Sequence, residues 1–113
     1  MKPIDWTTDI SMSNTATTDA VKIFLENAAE LKGSDAQIDY AKDLRRRAFV
    51  QVYLFFRGVH HKRPEAFDQL FEKAQSALDI LRTETSASKW VSGRVASFSC
   101  KKDVARFLKA NMK

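Results

Sequence analysis

Ala48-Phe49-Val50-Gln51-Val52-Tyr53-Leu54-Phe55-Phe56 is the stretch that decides how this chain folds. It is the one long apolar run, and it lies near the middle. On a helix its large side chains point in every direction and leave no face for water, so other elements must wrap it. β-Branched and aromatic residues are indifferent helix formers, and packing rather than propensity has to hold this segment helical. Full burial of each of Phe49, Val52, Phe55 and Phe56 contributes about 1.5–3 kcal/mol.

Toward the N-terminus, the same helix starts at a capping box, Ser34-Asp35-Ala36-Gln37. Its first half turns Ile38, Ala41 and Leu44 inward, and the helix is expected to reach about Arg57, with Gly58 ending it. A helix before it spans about Asp19 to Lys32. Thr17 or Thr18 caps it, and Val21, Phe24, Leu25, Ala28 and Leu31 form its stripe. Gly33 follows, where a left-handed residue suits a helix end. So short a link makes the two helices an antiparallel hairpin. Residues 1–16 have no sustained period and read as an extended arm, with Trp6 packing back on the body.

Toward the C-terminus, Val59-His60-His61-Lys62-Arg63 reads as a basic loop. Pro64 then opens a helix with Glu65 and Asp68 in its first turn, where acidic groups favour the backbone dipole. Phe67, Leu70, Phe71, Ala74, Ala77, Leu78 and Leu81 carry that helix to Arg82 or Glu84. Residues 83–88 are a polar loop. Lys89 to Ser97 is a short helix weakened by Gly93. Ser99 caps a last helix, Lys101 to Asn111, with Val104, Phe107 and Leu108 inward. The expected fold is all-α: a compact helical bundle of three main antiparallel helices, with one or two short C-terminal helices. The arm occupies 1–16 and a single helical domain 17–113.

Composition agrees with that class. A chain of 113 residues is the size of one domain with one core. Three Gly and two Pro are too few for a turn-rich β fold, and 44% apolar residues are too many for disorder. Cys100 is the one cysteine, which excludes an internal disulfide and a cysteine-based zinc cluster and suits a reducing compartment. Met1 to Trp6 lacks the apolar core of a signal peptide, and the central run is too short to cross a bilayer. A cytoplasmic protein without membrane attachment is the expectation.

Chemistry is hard to find. His60 and His61 are adjacent and do not face one another on any regular element, and no Cys, Asp or Glu stands near them at ligand spacing. Cys100 lies between a serine and two lysines, which lowers a thiol pKa, but no base stands near it in sequence. The carboxylates fall on outer helix faces, and the glycines are isolated. No catalytic residue, metal or cofactor is expected, so the chain reads as a non-enzyme.

Positive charge is the remaining signal. The net charge is +5, and residues 85–113 hold seven Lys and Arg against one Asp. Such an imbalance attracts anionic partners. One candidate contact group is Arg45, Arg46 and Arg47 with Arg57, His60, His61, Lys62 and Arg63. A second is Lys89, Arg94, Lys101, Lys102, Arg106, Lys109 and Lys113. Arg45 is anomalous, because it projects near the middle of the apolar stripe. It must snorkel, or find a carboxylate or carbonyls. Residues 88–108 resemble a helix-turn-helix in outline, with Val95, Cys100, Ala105 and Leu108 inward. Arg94 departs from that pattern, standing where the motif takes an apolar residue.

Two functions follow. The first is an interaction protein that binds a protein partner, as adaptor, inhibitor or assembly factor; small bundles of this kind occur among phage and plasmid proteins. The second is a DNA- or RNA-binding regulator that uses the basic C-terminal third. Homodimerisation is a third expectation, since the central helix has more apolar surface than two neighbours cover.

Overall fold

The computed structural model describes residues 13–93, 98 and 101–111. Among them every regular element is a helix: α1 (Ser13–Asn27), α2 (Asp35–Lys62), α3 (Pro64–Lys73), α4 (Gln75–Thr83), α5 (Ala87–Val91) and α6 (Lys101–Asn111). α2 is the axis, and α1, α3, α4, α5 and α6 all pack on it.

The sequence accounts for that placement. Phe49, Val52, Tyr53 and Phe56 are almost wholly enclosed. Phe24 of α1 stacks on Phe49 with ring centres 4.2 Å apart. Phe67 and Phe71 of α3 meet Phe56 edge-on at 6.1 and 5.5 Å. Trp90 of α5 is fully buried, and its indole N–H donates to the Glu84 carbonyl at 3.2 Å. Val104 and Leu108 of α6 complete the core. The wrapping is not complete, however. Leu54 is 40% exposed, Gln51 is exposed, and Val50 and Phe55 are half-buried, so one face of the central run does meet water.

Helix limits differ from the expected ones in several places. α2 begins as expected: the Ser34 hydroxyl accepts from the Gln37 N–H at 3.3 Å, and the Gln37 side chain accepts from the Ser34 N–H. It does not stop at Gly58 but continues to Lys62, taking in the segment expected as a basic loop. Pro64 explains the limit, because the residue before a proline is kept out of helical backbone, and Arg63 is that residue.

The expected third helix is two helices that meet at Ala74. The Gln75 side chain donates to the Phe71 carbonyl at 3.1 Å, the position a helical amide would hold. Ala74 itself shares its N–H between the Leu70 and Phe71 carbonyls at 3.0 and 3.2 Å. α5 starts at Ala87, two residues before the expected Lys89, with the Ser86 hydroxyl accepting from the Lys89 N–H. It ends where Gly93 takes a φ of 78°.

The first helix departs furthest. It begins at Ser13, inside the segment expected to be extended, so Thr17 and Thr18 are helical residues and not caps. It ends at Asn27, whose side-chain amide donates to the Ile23 carbonyl at 2.8 Å. Residues 28–33 then run beside 82–87. The Ala29 N–H donates to the Arg82 carbonyl (2.8 Å), the Lys32 N–H to the Thr85 carbonyl (2.7 Å), and the Ala87 N–H to the Lys32 carbonyl (3.0 Å). Gly33 serves this crossing rather than a helix end. Its φ is 153°, and a methyl group there would sit 3.1 Å from the Ala87 Cβ. Residues 1–12 of the expected arm lie outside the described residues, as do Arg94, Val95, Ser99, Cys100 and Lys113. Two of the four inward positions of the helix-turn-helix outline, Val95 and Cys100, fall there with them.

Candidate functional site

The two basic groups read from the sequence meet different fates. In the first group Arg45 turns inward and is 5% exposed. Its Nη1 donates to the Ala29 carbonyl at 2.7 Å, and its Nε has no hydrogen-bond partner. Burial lowers its pKa from the usual arginine range. Arg45 therefore ties α2 to the 28–33 segment. Arg57 is also buried, with its guanidinium carbon 5.6 Å from the centre of the Tyr53 ring.

Arg46 and Arg47 face outward, but they share one carboxylate. Arg46 Nη2 and Arg47 Nε reach the two oxygens of Asp43 at 2.9 and 2.8 Å. Exposed pairs of this kind are worth at most about 1 kcal/mol and exchange partners readily. His60 packs edge-on against Phe67 at 5.2 Å, which gives it a packing role. His61, Lys62 and Arg63 are exposed at the far end of α2, about 22 Å along its axis from Arg47 at 1.5 Å per residue. The structure does not bring this group together as one anion site.

The described members of the second group are divided between two helices. Lys89 is exposed on α5. On α6, Lys102, Arg106 and Lys109 are exposed at spacings of four and three, which puts them on one stripe of the helix. Arg106 lies 3.8 Å from Asp103. Lys101 opens α6, and its side chain is outside the described ones. Among the described residues, no group of three or more His, Cys, Asp or Glu is placed to hold a metal ion. No described helix is long and apolar enough to cross a membrane.

What the sequence reading missed is the outer face of α2. Ala36, Tyr40, Asp43, Arg47, Val50, Leu54, Gly58 and His61 recur at alternating three- and four-residue steps, broken once by a second step of four. They form one stripe along the helix. Tyr40 is 56% exposed and Leu54 40%, while Asp43 and Val50 are partly covered. Beside the stripe lies a groove of about 330 Å³ lined by Leu44, Arg46, Arg47, Ala48, Val50, Gln51 and Phe98. The signal was present in the sequence: Tyr40, Arg47 and Leu54 lie seven residues apart, opposite the buried Ala41, Ala48 and Val52. Treating the central run as enclosed on all sides concealed it. No family model, curated protein or solved structure matches the chain.

Proposed function

We propose that this chain is a non-enzymatic helical interaction protein that binds a protein partner on the outer face of α2, as an adaptor, inhibitor or assembly factor. The observation that carries the reading is the row Tyr40, Arg47, Val50 and Leu54 on the outward face of a helix whose opposite face is enclosed by its neighbours. Single exposed apolar residues are ordinary, but Tyr40 and Leu54 share one stripe with the half-buried Val50, and a groove lies beside it, the kind of mixed surface where partners dock. Tyrosine and arginine are also the residue types that dominate binding energy at interfaces. Ring contacts of Phe56 with Phe71 and of His60 with Phe67 support an antiparallel course for α2 and α3, in keeping with a bundle as scaffold. The single cysteine fits a reducing, cytoplasmic setting.

The test is binding of a partner captured from the source cell, then purified and titrated against wild type and variants. Tyr40→Ala and Leu54→Asp should each weaken it, Tyr40→Ala by about thirtyfold if it is an anchor. A partner that binds both variants as tightly as wild type excludes the α2 face.

A second reading rests on the α6 stripe of Lys102, Arg106 and Lys109, which would lie along a nucleic-acid backbone. Three phosphate contacts give a slope of about −2.7 for log affinity against log salt on duplex DNA. No binding at low salt removes this reading.

A further inference from the structure

We infer that the occupant of the α2 outer face is a second copy of this chain, docked antiparallel about a two-fold axis level with position 45 along the helix. The inference rests on the reading of that face as the binding surface and names what covers it. The stripe is complementary to itself in one register. In an antiparallel pair centred at position 45, Asp43 meets the partner copy's Arg47, Tyr40 meets its Val50, and Ala36 meets its Leu54. Every one of these residues is already on the outer stripe. The two-fold axis repeats each contact, so the centre holds two Asp43–Arg47 pairs flanked by two Tyr40–Val50 contacts.

Charge favours this arrangement over two alternatives. A parallel pair sets Asp43 against Asp43 and Arg47 against Arg47, which repel. An antiparallel pair centred at Arg47 sets two arginines together. Centring at position 45 leaves no like charges opposed along the stripe. The Asp43 and Arg47 side chains are 39% and 68% exposed and are already paired within one copy, so a swap to the partner copy exchanges like bonds for like. The groove lined by Val50, Gln51 and Phe98 lies where the partner copy's Tyr40 ring arrives. The seam from Ala36 to Leu54 is about 27 Å long, room for five turns of contact.

The test is a charge exchange followed by light scattering and sedimentation of the full chain. Wild type is expected at twice the monomer mass. Asp43→Arg alone and Arg47→Asp alone each oppose like charges and should raise the dissociation constant on the order of a hundredfold. The double variant Asp43→Arg/Arg47→Asp should restore the dimer. An equimolar mixture of the two single variants should dimerise where each alone does not, because only the 43-to-47 contact makes the two chains complementary. Circular dichroism on each variant checks that the helices remain.

A wild-type monomer at every concentration overturns the inference. So does a dimer indifferent to both single exchanges, which places its interface elsewhere. A monomer that binds a different protein, and loses it with Leu54→Asp, also overturns it while leaving the α2 face as the binding surface. A dimer that behaves as described, beside a foreign partner insensitive to Leu54→Asp, supports the inference and confines the face to self-association.

Discussion

The middle of α2 and the crossing of residues 28–33 with 82–87 are held by different means. Around Phe49 and Phe56 the contacts are apolar, numerous and without direction: Phe24, Tyr53, Phe67 and Phe71 all take part. At the crossing, three backbone hydrogen bonds, one arginine and one glycine do the holding. Apolar packing encloses the axis but leaves its neighbours free to slide. Directional bonds fix where α1 ends and where α5 begins. Enclosure therefore sets how stable the protein is, and the crossing sets which arrangement it adopts.

Breaking the first region should cost most. Phe56→Ala removes a ring that touches Phe55, Phe67 and Phe71 in a site with no access to water. A loss of about 3–5 kcal/mol is expected from the transfer and cavity contributions together. Urea unfolding followed by circular dichroism measures it. A loss under about 1 kcal/mol would mean that the neighbouring rings collapse into the space and that the centre is not packed as described.

The crossing should be less costly to break, and in a different way. Arg45→Met keeps the apolar stem and gives up the bond to the Ala29 carbonyl. Losing a hydrogen bond from a charged donor, and leaving that carbonyl without it, costs about 1–3 kcal/mol. Relief of the buried charge works against this loss. An Arg45→Met variant as stable as wild type would mean either that the relief offsets the lost bond or that the crossing does not depend on Arg45. Amide exchange at Ala29 and Lys32 separates the cases, because a loosened crossing exchanges faster there than at Val52.

The contrast also explains what could be read from the sequence. Periodicity reports enclosure, and the central run, the Phe67–Leu81 stripe and the Val104–Leu108 face were all legible from it. The capping box at Ser34 was legible because it is local: four consecutive residues contain both partners. The crossing was not legible. Its bonds join Ala29 to Arg82 and Lys32 to Thr85, and backbone groups carry no sequence signature across such distances. For the same reason Gly33 was legible as a special backbone position but not as a point of close approach to Ala87. Arg45 announced itself as misplaced on an apolar stripe, while its partner, a carbonyl released by the early end of α1, had no such mark. The outer face of α2 was hidden by an assumption, since an apolar run need not be enclosed on every side.

A cap is a smaller and more local test. Ser34→Ala removes the acceptor for the Gln37 N–H at an exposed helix start, and a loss of about 1 kcal/mol is expected. The loss should leave amide exchange at the crossing unchanged, although Gly33 adjoins Ser34. Faster exchange at Lys32 in this variant would mean that the cap and the crossing are one unit rather than two.

The smallest effect has the opposite sign and turns on Gly58. A glycine that ends a helix in left-handed backbone resists substitution, and alanine there is strained. A glycine inside a continuous helix is a weakness, and alanine is about 0.5–1 kcal/mol better. Gly58 lies within α2, its φ is not positive, and a methyl group added there meets nothing within 4 Å. Gly58→Ala should therefore raise the unfolding midpoint modestly. A lowered midpoint would place the end of α2 at Arg57, return His60 and His61 to a loop, and remove the ring contact that His60 makes with Phe67. The sign of one small number thus decides whether the axis of this fold reaches its last turn.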